Sequence, residues 1–419
     1  MAQEILVLGA GMVGTCTALE LTLRGHAVTL LDRRPPGQET SYGNAGLIQR
    51  EAVEPHPMPR DLATLLSAAL GQRLDMQYHL DGLLAAAPQL LGYWHASAPQ
   101  RYQQISRQYA SLIAHSTSEH ARYIALADAD DLIRRDGFRF IYRSEPAYDE
   151  GVREAQRLHR EYGILFSSLD TAALAAAEPA LRMPLAGAVH WLDTWGVSDP
   201  GQLVERYASL FQQRGGRLVT GDAASLQAFA SGWRADSSAG SITAQQAVLA
   251  LGPWADQLTR RLGYRLPLFI KRGYHRHYTG GASLNLATLD AQRGFLLAPQ
   301  QRGLRLTTGA EIARIAAPPT PRQLQGAEAE ARQLLDLGQP VECQPWLGNR
   351  PCTADMKPVI GPAPRHAGLW FNFGHGHQGF TLGPASARLL ADLMEQAEPY
   401  TDACPFAPAR FSTKSNSST

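Results

Sequence analysis

Cysteine is scarce: the 419 residues hold four, Cys16, Cys343, Cys352 and Cys404. None forms a CxxC pair and no histidine stands at zinc-finger spacing, which excludes a disulfide framework and a structural zinc. No other ligand cluster points to a metal. This usage suits a reducing compartment, and Cys16, inside a predicted helix, reads as a buried free thiol. An excess of one charge is also lacking, because 39 Lys+Arg face 38 Asp+Glu and leave +1 without a basic stripe. Nucleic acid is therefore excluded as a partner. No apolar run of about 18 residues occurs, so no membrane span is expected. Ile5-Leu6-Val7-Leu8 is too short for an export signal, lacks a basic flank and is interrupted at once by glycine. A cytoplasmic protein is expected. Asp61 to Trp94 is locally apolar (Leu65, Leu66, Leu70, Leu83, Leu84, Leu90, Leu91), which leaves open peripheral contact with the inner face of a membrane. Core packing of two amphipathic helices is the preferred reading of that stretch. With 44% hydrophobic and 18% charged residues, a globular chain of two domains is expected.

What is present is a glycine turn in an informative context. Glu4-Ile5-Leu6-Val7-Leu8 suits a buried parallel strand. Gly9-Ala10-Gly11-Met12-Val13-Gly14 follows, then a helix from Met12 to Arg24 ended by Gly25, with Ala18, Leu19, Leu21 and Leu23 near one side. Ala27-Val28-Thr29-Leu30-Leu31 is a second strand ending at Asp32. Gly9 permits the tight turn, Gly11 admits a pyrophosphate, and Gly14 lets helix and strand approach. Free N–H groups of Met12 and Val13 at the helix start face the anion. Asp32 stands eighteen positions after Gly14, where a carboxylate accepts hydrogen bonds from an adenosine ribose. Arg33 beside it is a further candidate contact. NAD, NADP and FAD proteins share this unit, and Asp32 argues against a 2′-phosphate.

Later segments favour a flavin. Ser41-Tyr42-Gly43-Asn44-Ala45-Gly46-Leu47-Ile48 is a small-residue loop able to set amides and a hydroxyl against phosphates or a flat ring. Gln246 to Trp254 reads as a buried strand stopping near Gly252. Leu369-Trp370-Phe371-Asn372-Phe373 is a strand leading into Gly374-His375-Gly376-His377-Gln378-Gly379-Phe380-Thr381. Gly383-Pro384 is then expected to start a helix running from Ala385 to Glu395. A second helix start beside exposed amides suits a flavin, whose N1–C2=O edge becomes negative on reduction.

Together these segments resemble the FAD-dependent amino-acid oxidoreductases of the D-amino-acid oxidase superfamily, most closely its bacterial D-amino-acid dehydrogenase branch. The resemblance rests on GAGMVG with Asp32, SYGNAGLI, WLDTWGVSDPGQL at Trp191 to Leu203, and VLALGPWAD at Val248 to Asp256. It continues through KRGYH at Lys271 to His275, GNRPCTADMKPVIGP at Gly348 to Pro362, GHGHQGFTLGP at Gly374 to Pro384, and Pro405 to Phe411. Asp32 stands where the family more often has Glu, and the His375/His377 pair is richer in histidine than the usual glycine loop.

The resemblance implies an α/β protein in which a doubly wound, Rossmann-like FAD domain carries a smaller α+β substrate domain built on a mostly antiparallel sheet. The FAD domain would comprise 1–60, 194–263 and 348–411, and the substrate domain 61–193 and 264–347. Residues 412–419 would form a disordered tail. Ser198-Asp199-Pro200 is a helix start. Phe138 to Tyr142 and Leu304 to Thr308 alternate polar with apolar, which predicts a sheet with one solvated face. Contacts to FAD are expected from Gly9, Gly11, Met12, Val13, Gly14, Asp32, Arg33, Ser41, Asn44, Ala45, Gly46, Leu47, Gly252, Trp254, Gly376, His377, Gln378, Gly379, Phe380 and Thr381.

The implied reaction is oxidative deamination, with hydride passing from Cα to flavin N5 and the imine hydrolysing to a 2-oxo acid. D-amino acids are the first substrate class. The alternative is a secondary-amine or imino-acid substrate resembling glycine, sarcosine or hydroxyproline. The substrate needs a free carboxylate, and the final acceptor (oxygen, a quinone or a protein) is left open. A bidentate arginine is the best single device for fixing a carboxylate, and Arg350 in GNRP is the candidate. Tyr274 is expected to donate to the same carboxylate. His375 is placed at the flavin edge or the amine, and transfer from a neutral amine requires no side-chain base. His56 reads as a loop residue, and Lys271 as solvated or anion-attracting.

Overall fold

In the computed structural model, which describes residues 2–61, 67 and 76–412, Glu4–Leu8 is a central strand with its last four residues buried. It runs parallel to Ala27–Asp32 on one side and to Gln246–Leu249 on the other. Being covered on both faces, it is continuously apolar instead of alternating. The sheet has eight strands in the order Gly240–Ala244, Gly232–Ser237, Arg217–Phe229, Ala27–Asp32, Glu4–Leu8, Gln246–Leu249, Leu369–Phe373 and Val359–Pro362. The central pairings are parallel, while the pairings at both ends are antiparallel.

The helix Met12–Leu23 is buried around most of its circumference, not on one side alone, for Thr15, Thr17 and Glu20 are covered along with Leu19 and Leu21. It packs between the sheet and the helix Gly379–Met394, and the close approach depends on Gly383, where a Cβ would stand 2.7 Å from Met12 Cγ. The helix Pro200–Gln213 starts as expected, with the Asp199 carboxylate accepting the Gln202 N–H at 3.0 Å.

Gly383-Pro384 does not start the last long helix, which begins at Gly379 and carries Pro384 inside it. Proline removes the hydrogen bond that the Phe380 carbonyl would otherwise accept. Buried His120 replaces it, donating from Nε2 to Phe380 O at 2.9 Å while Nδ1 lies 3.0 Å from the Tyr207 hydroxyl. The helix therefore continues through its proline.

The second sheet has eleven strands, among them Leu268–Thr279, Gly303–Thr307, Phe295–Gln300, Phe138–Tyr142 and Gly187–Trp191, and is mostly antiparallel. Trp346–Thr353 pairs beside Leu268–Thr279, so residue 348 falls within a strand of this sheet. Helices Glu145–Tyr162 and Arg322–Leu334 pack on it. The alternating strands do not turn a face to solvent, because Arg139 and Arg305 are 8% and 2% exposed. Arg139 is held by Glu178 in a buried ion pair. Arg305 donates to His277 Nε2 at 2.9 Å, and His277 Nδ1 donates to Glu342 at 2.7 Å. The polar half of the period is buried in ion pairs and hydrogen bonds.

Helices Leu80–Ala96, Pro99–Ile113 and Ser116–Leu126 follow the first nucleotide-binding strands. Core packing holds for Leu90, whereas Leu80, Leu84 and Leu91 are 66%, 67% and 58% exposed. These three share one side of the helix. Leu65, Leu66, Leu70 and residues 413–419 lie outside the described residues. Among the described residues no helix is long and apolar enough to cross a membrane.

Candidate active site

Four loops meet at the carboxyl ends of four adjacent strands: those after Glu4–Leu8, Ala27–Asp32, Gln246–Leu249 and Leu369–Phe373. Open α/β sheets hold ligands at such an edge. A cleft runs here between the two sheets. At one end Gly9 takes φ +104°, and a Cβ would stand 2.6 Å from Ala250 O. A Cβ at Gly14 would stand 1.7 Å from Gly9 O, so Gly14 serves helix–strand approach and is not on the cleft wall. Gly11, Met12 and Val13 are on that wall. Ser41 reaches over from its own loop and its Oγ accepts the Met12 N–H at 2.8 Å.

Asp32 closes the turn. Its two oxygens accept the Ala10 N–H at 2.6 Å and the Arg34 N–H at 3.2 Å. A carboxylate has about four acceptor positions, which leaves two for a ligand. Arg33 stacks its guanidinium 4.5 Å from the Trp254 ring centroid and donates to Glu39 at 2.7 Å. Gly252, at φ +52°, has none of the described residues within 4 Å of where a Cβ would be.

The loop 40–46 is held from behind. Asn44, on the cleft wall, accepts the Gly46 and Leu47 N–H groups at 2.8 and 3.1 Å, and Arg305 donates to the Tyr42 and Asn44 carbonyls. Ala45, Gly46 and Leu47 are absent from the cleft wall: Leu47 is buried in the core, and a Cβ on Gly46 would stand 2.4 Å from Val197 O. These residues pack behind the loop and fix it.

At the other end, Gly374 and Gly376 take φ +84° and +59°, and the Gly376 N–H donates to Pro351 O at 2.8 Å. Gly376, His377, Gly379 and Phe380 line the cleft, whereas Gln378 and Thr381 turn toward Gln49. His375 is buried with no partner on Nε2 among the described residues, and burial pulls its pKa down to about 3. His377 is also held well below its ordinary value, first by burial and then by His56, Arg350 and Lys271. Both rings are neutral at pH 7.

Arg350 is on the wall beside this loop. It donates from Nη1 to Gly309 O at 2.7 Å and from Nη2 to Thr308 O at 3.2 Å. Among the described residues it has no carboxylate partner. Gly273 makes its room, since a Cβ there would stand 2.3 Å from Nη2. Tyr274 reaches the cleft but its hydroxyl does not join Arg350. That hydroxyl donates to Glu311 at 3.0 Å and accepts the Thr320 N–H at 2.7 Å. Period-two alternation puts Tyr274 on the opposite face of its strand from Gly273.

Three placements were not read from the sequence. His56 stacks on His377 at 4.8 Å and 19°. Trp346 lies against the loop at Gly43, where a Cβ would stand 1.8 Å from its ring, and stacks on His275 at 4.8 Å. Asp222, Ala223 and Ala224 line the cleft from a neighbouring strand. Gly348, two residues before Arg350 in GNRP, was the available signal for a crowded aromatic: a Cβ there would also overlap Trp346, at 2.1 Å.

The donor set suits an extended dinucleotide flavin. A glycine turn and a helix start serve a pyrophosphate, Asp32 a ribose, and the space at Gly252 and Gly376 a close-lying ring. A D-amino acid dehydrogenase of Cereibacter sphaeroides is 30% identical, with 98% of this chain and 95% of that protein covered. D-amino acid dehydrogenase 2 of Ralstonia nicotianae is 32% identical over 97% of this chain and 100% of that one. The crystal structure of glycine oxidase from Geobacillus kaustophilus shares the fold, with TM-score 0.73 and 22% identity over 98% of this chain and 100% of that chain. The family model for FAD dependent oxidoreductases matches residues 4–393, spanning the glycine turn, Arg350 and the loop after Phe373, and the chain belongs to that family.

Proposed function

We propose that this protein oxidises the Cα–N bond of an amino acid with a free carboxylate, D-amino acids first. The observation that carries the reading is Arg350, a guanidinium on the cleft wall bonded only to two carbonyls and lacking a carboxylate among the described residues. FAD, the family's cofactor, supplies the hydride acceptor. Segments 1–60, 194–263 and 348–411 would hold it, with Gly9, Gly11, Met12 and Val13 at the pyrophosphate, Asp32 and Arg33 at the adenosine, and Gly376 to Phe380 at the ring.

In this reading Arg350 binds the substrate carboxylate and fixes which hydrogen of Cα faces the ring. The Gly309 and Thr308 carbonyls hold the guanidinium still before substrate arrives. His375 and His377, made very weakly basic by burial, do not deprotonate the substrate and can only hydrogen-bond its amine, which reacts in the neutral form. The resulting imine hydrolyses in water to a 2-oxo acid. An anaerobic flavin-bleaching screen with D-amino, L-amino and N-methylated acids tests the reading without assuming the final acceptor. Bleaching by D-amino acids is expected. Bleaching by glycine, sarcosine or hydroxyproline in their place would assign the glycine-like or imino-acid alternative.

The finer location is part of the same proposal: a cytoplasmic enzyme resting on a membrane surface through the exposed leucines of helix Leu80–Ala96. Cosedimentation with vesicles, lost in a Leu84→Glu/Leu91→Glu variant, is the expected result.

A further inference from the structure

Among the described residues Arg350 is not the only cation in its corner lacking an anionic partner: Lys271, which is off the cleft wall but close enough to the wall's His377 to act on it, lacks one too. The register sets Lys271 directly opposite Arg350 across the antiparallel strands Leu268–Thr279 and Trp346–Thr353. Directly paired residues project from the same face of a sheet, and like charges so placed repel. The Lys271 ammonium donates to the Tyr93 hydroxyl at 3.1 Å and sits 4.3 Å from the Tyr93 ring centroid. Among the described residues no carboxylate lies within ion-pair distance of either cation.

The groups around the pair do not supply the missing charge. His56 and His377 are stacked, and burial first, with the charges of Lys271 and Arg350 adding to it, holds both below their ordinary range. The Cys352 thiol is pushed up by burial. All three are neutral at pH 7. The reverse face of the same strand is built differently, for Arg272 there is paired with Glu311 at 2.6 Å.

We infer that the two missing anions arrive together on the substrate, the α-carboxylate at Arg350 and a second carboxylate at Lys271. The preferred substrate class is then the acidic amino acids. Lys271 is the residue that sets this specificity, with Tyr93 holding its ammonium in place. The inference rests on the amino-acid oxidation proposed above and goes beyond it by naming the side chain.

The test compares the FAD-loaded protein with D-glutamate against D-glutamine and D-aspartate against D-asparagine, pairs of nearly equal shape that differ by one charge. Anaerobic flavin reduction should favour the acid of at least one pair. In Lys271→Met the acid-to-amide ratio should fall about 10- to 100-fold, the worth of a charge-assisted hydrogen bond. The loss should reside in substrate affinity, and Lys271→Arg should restore most of it. Glutarate, which cannot be oxidised, should bind the wild-type protein more tightly than butyrate by calorimetry, and Lys271→Met should erase the difference. Equal or faster reduction by the amides, or a preference that survives Lys271→Met, would overturn this proposal and leave amino-acid oxidation standing. Failure of every amino acid to bleach the flavin would overturn both. Should Lys271→Met prove colourless, the wild-type ratio and the glutarate comparison still decide the matter.

Discussion

The strand Leu268–Thr279 has two faces, and they treat charge in opposite ways. On one, Arg272 is fully buried and bonded to Glu311, with further bonds to the Ala317 and Pro318 carbonyls. Tyr274 and Thr320 close the same network on Glu311. On the other face, Lys271 and the facing Arg350 meet neutral acceptors, a phenol and two carbonyls. A buried charge normally costs several kcal/mol unless paired. One face is thus complete among the described residues, and the other presents two cations that meet only neutral groups. An unpaired cation facing a cleft is therefore the stronger marker of function, even where a paired one is more deeply buried.

The comparison breaks most sharply at Arg350. Arg350→Met should lower kcat/KM toward any carboxylate substrate about 10³-fold, since a bidentate charge-assisted contact also sets orientation. Its unfolding midpoint should stay near that of the wild type, because the side chain supports no carboxylate. Unchanged turnover would remove Arg350 from the site. Arg272→Met should behave in reverse. It strands Glu311 in the interior and should cost about 3 kcal/mol of stability, measured by denaturant unfolding. Any loss of turnover in the folded fraction should be small.

Burial also makes the fold acid-sensitive from two sides of the last long helix. His120, behind it, is pushed down to about 4 by burial, and His375, before its start, to about 3. Unfolded histidine titrates near 6.5, so below that value the unfolded chain binds protons that the folded chain refuses. Stability is therefore complete above pH 6.5 and is lost as pH falls, by about 1.4 kcal/mol per histidine at pH 5.5. Replacing His120 by Gln should remove its share of the slope while keeping a donor for Phe380 O. An unchanged slope would mean that His120 is already charged in the folded protein.

Which parts of this were legible follows from how local their cause is. Gly9 is fixed by the positive φ of one turn, Gly14 by a clash within that turn, and Asp199-Pro200 by one helix end, so their spacing declares them. Arg350 was legible through its motif. The pairing of Lys271 with Arg350, and the stack of His56 on His377, depend on strand register and loop placement between distant segments. Pro384 misled for the same reason: what lets a helix run through it is His120, supplied by another element. Ala45, Gly46 and Leu47 lie in a stretch whose composition suits a binding loop, yet they anchor it from the rear.

Tyr274 is where the two faces are easiest to confuse. Its place in KRGYH, next to a glycine that makes room for Arg350, suits a second donor to the substrate carboxylate. Its hydroxyl is instead committed to Glu311 and Thr320. Tyr274→Phe should therefore cost about 1 kcal/mol of stability, the net worth of the lost hydrogen bonds, because Glu311 keeps Arg272. KM for the amino acid should stay within about twofold, as the ring still fills its site. A several-fold rise in KM at unchanged stability would place the hydroxyl on the substrate and erase the distinction between the two faces. The opposite pairing of effects, stability lost and KM kept, would locate the boundary of the binding surface between Gly273 and Tyr274, one residue wide.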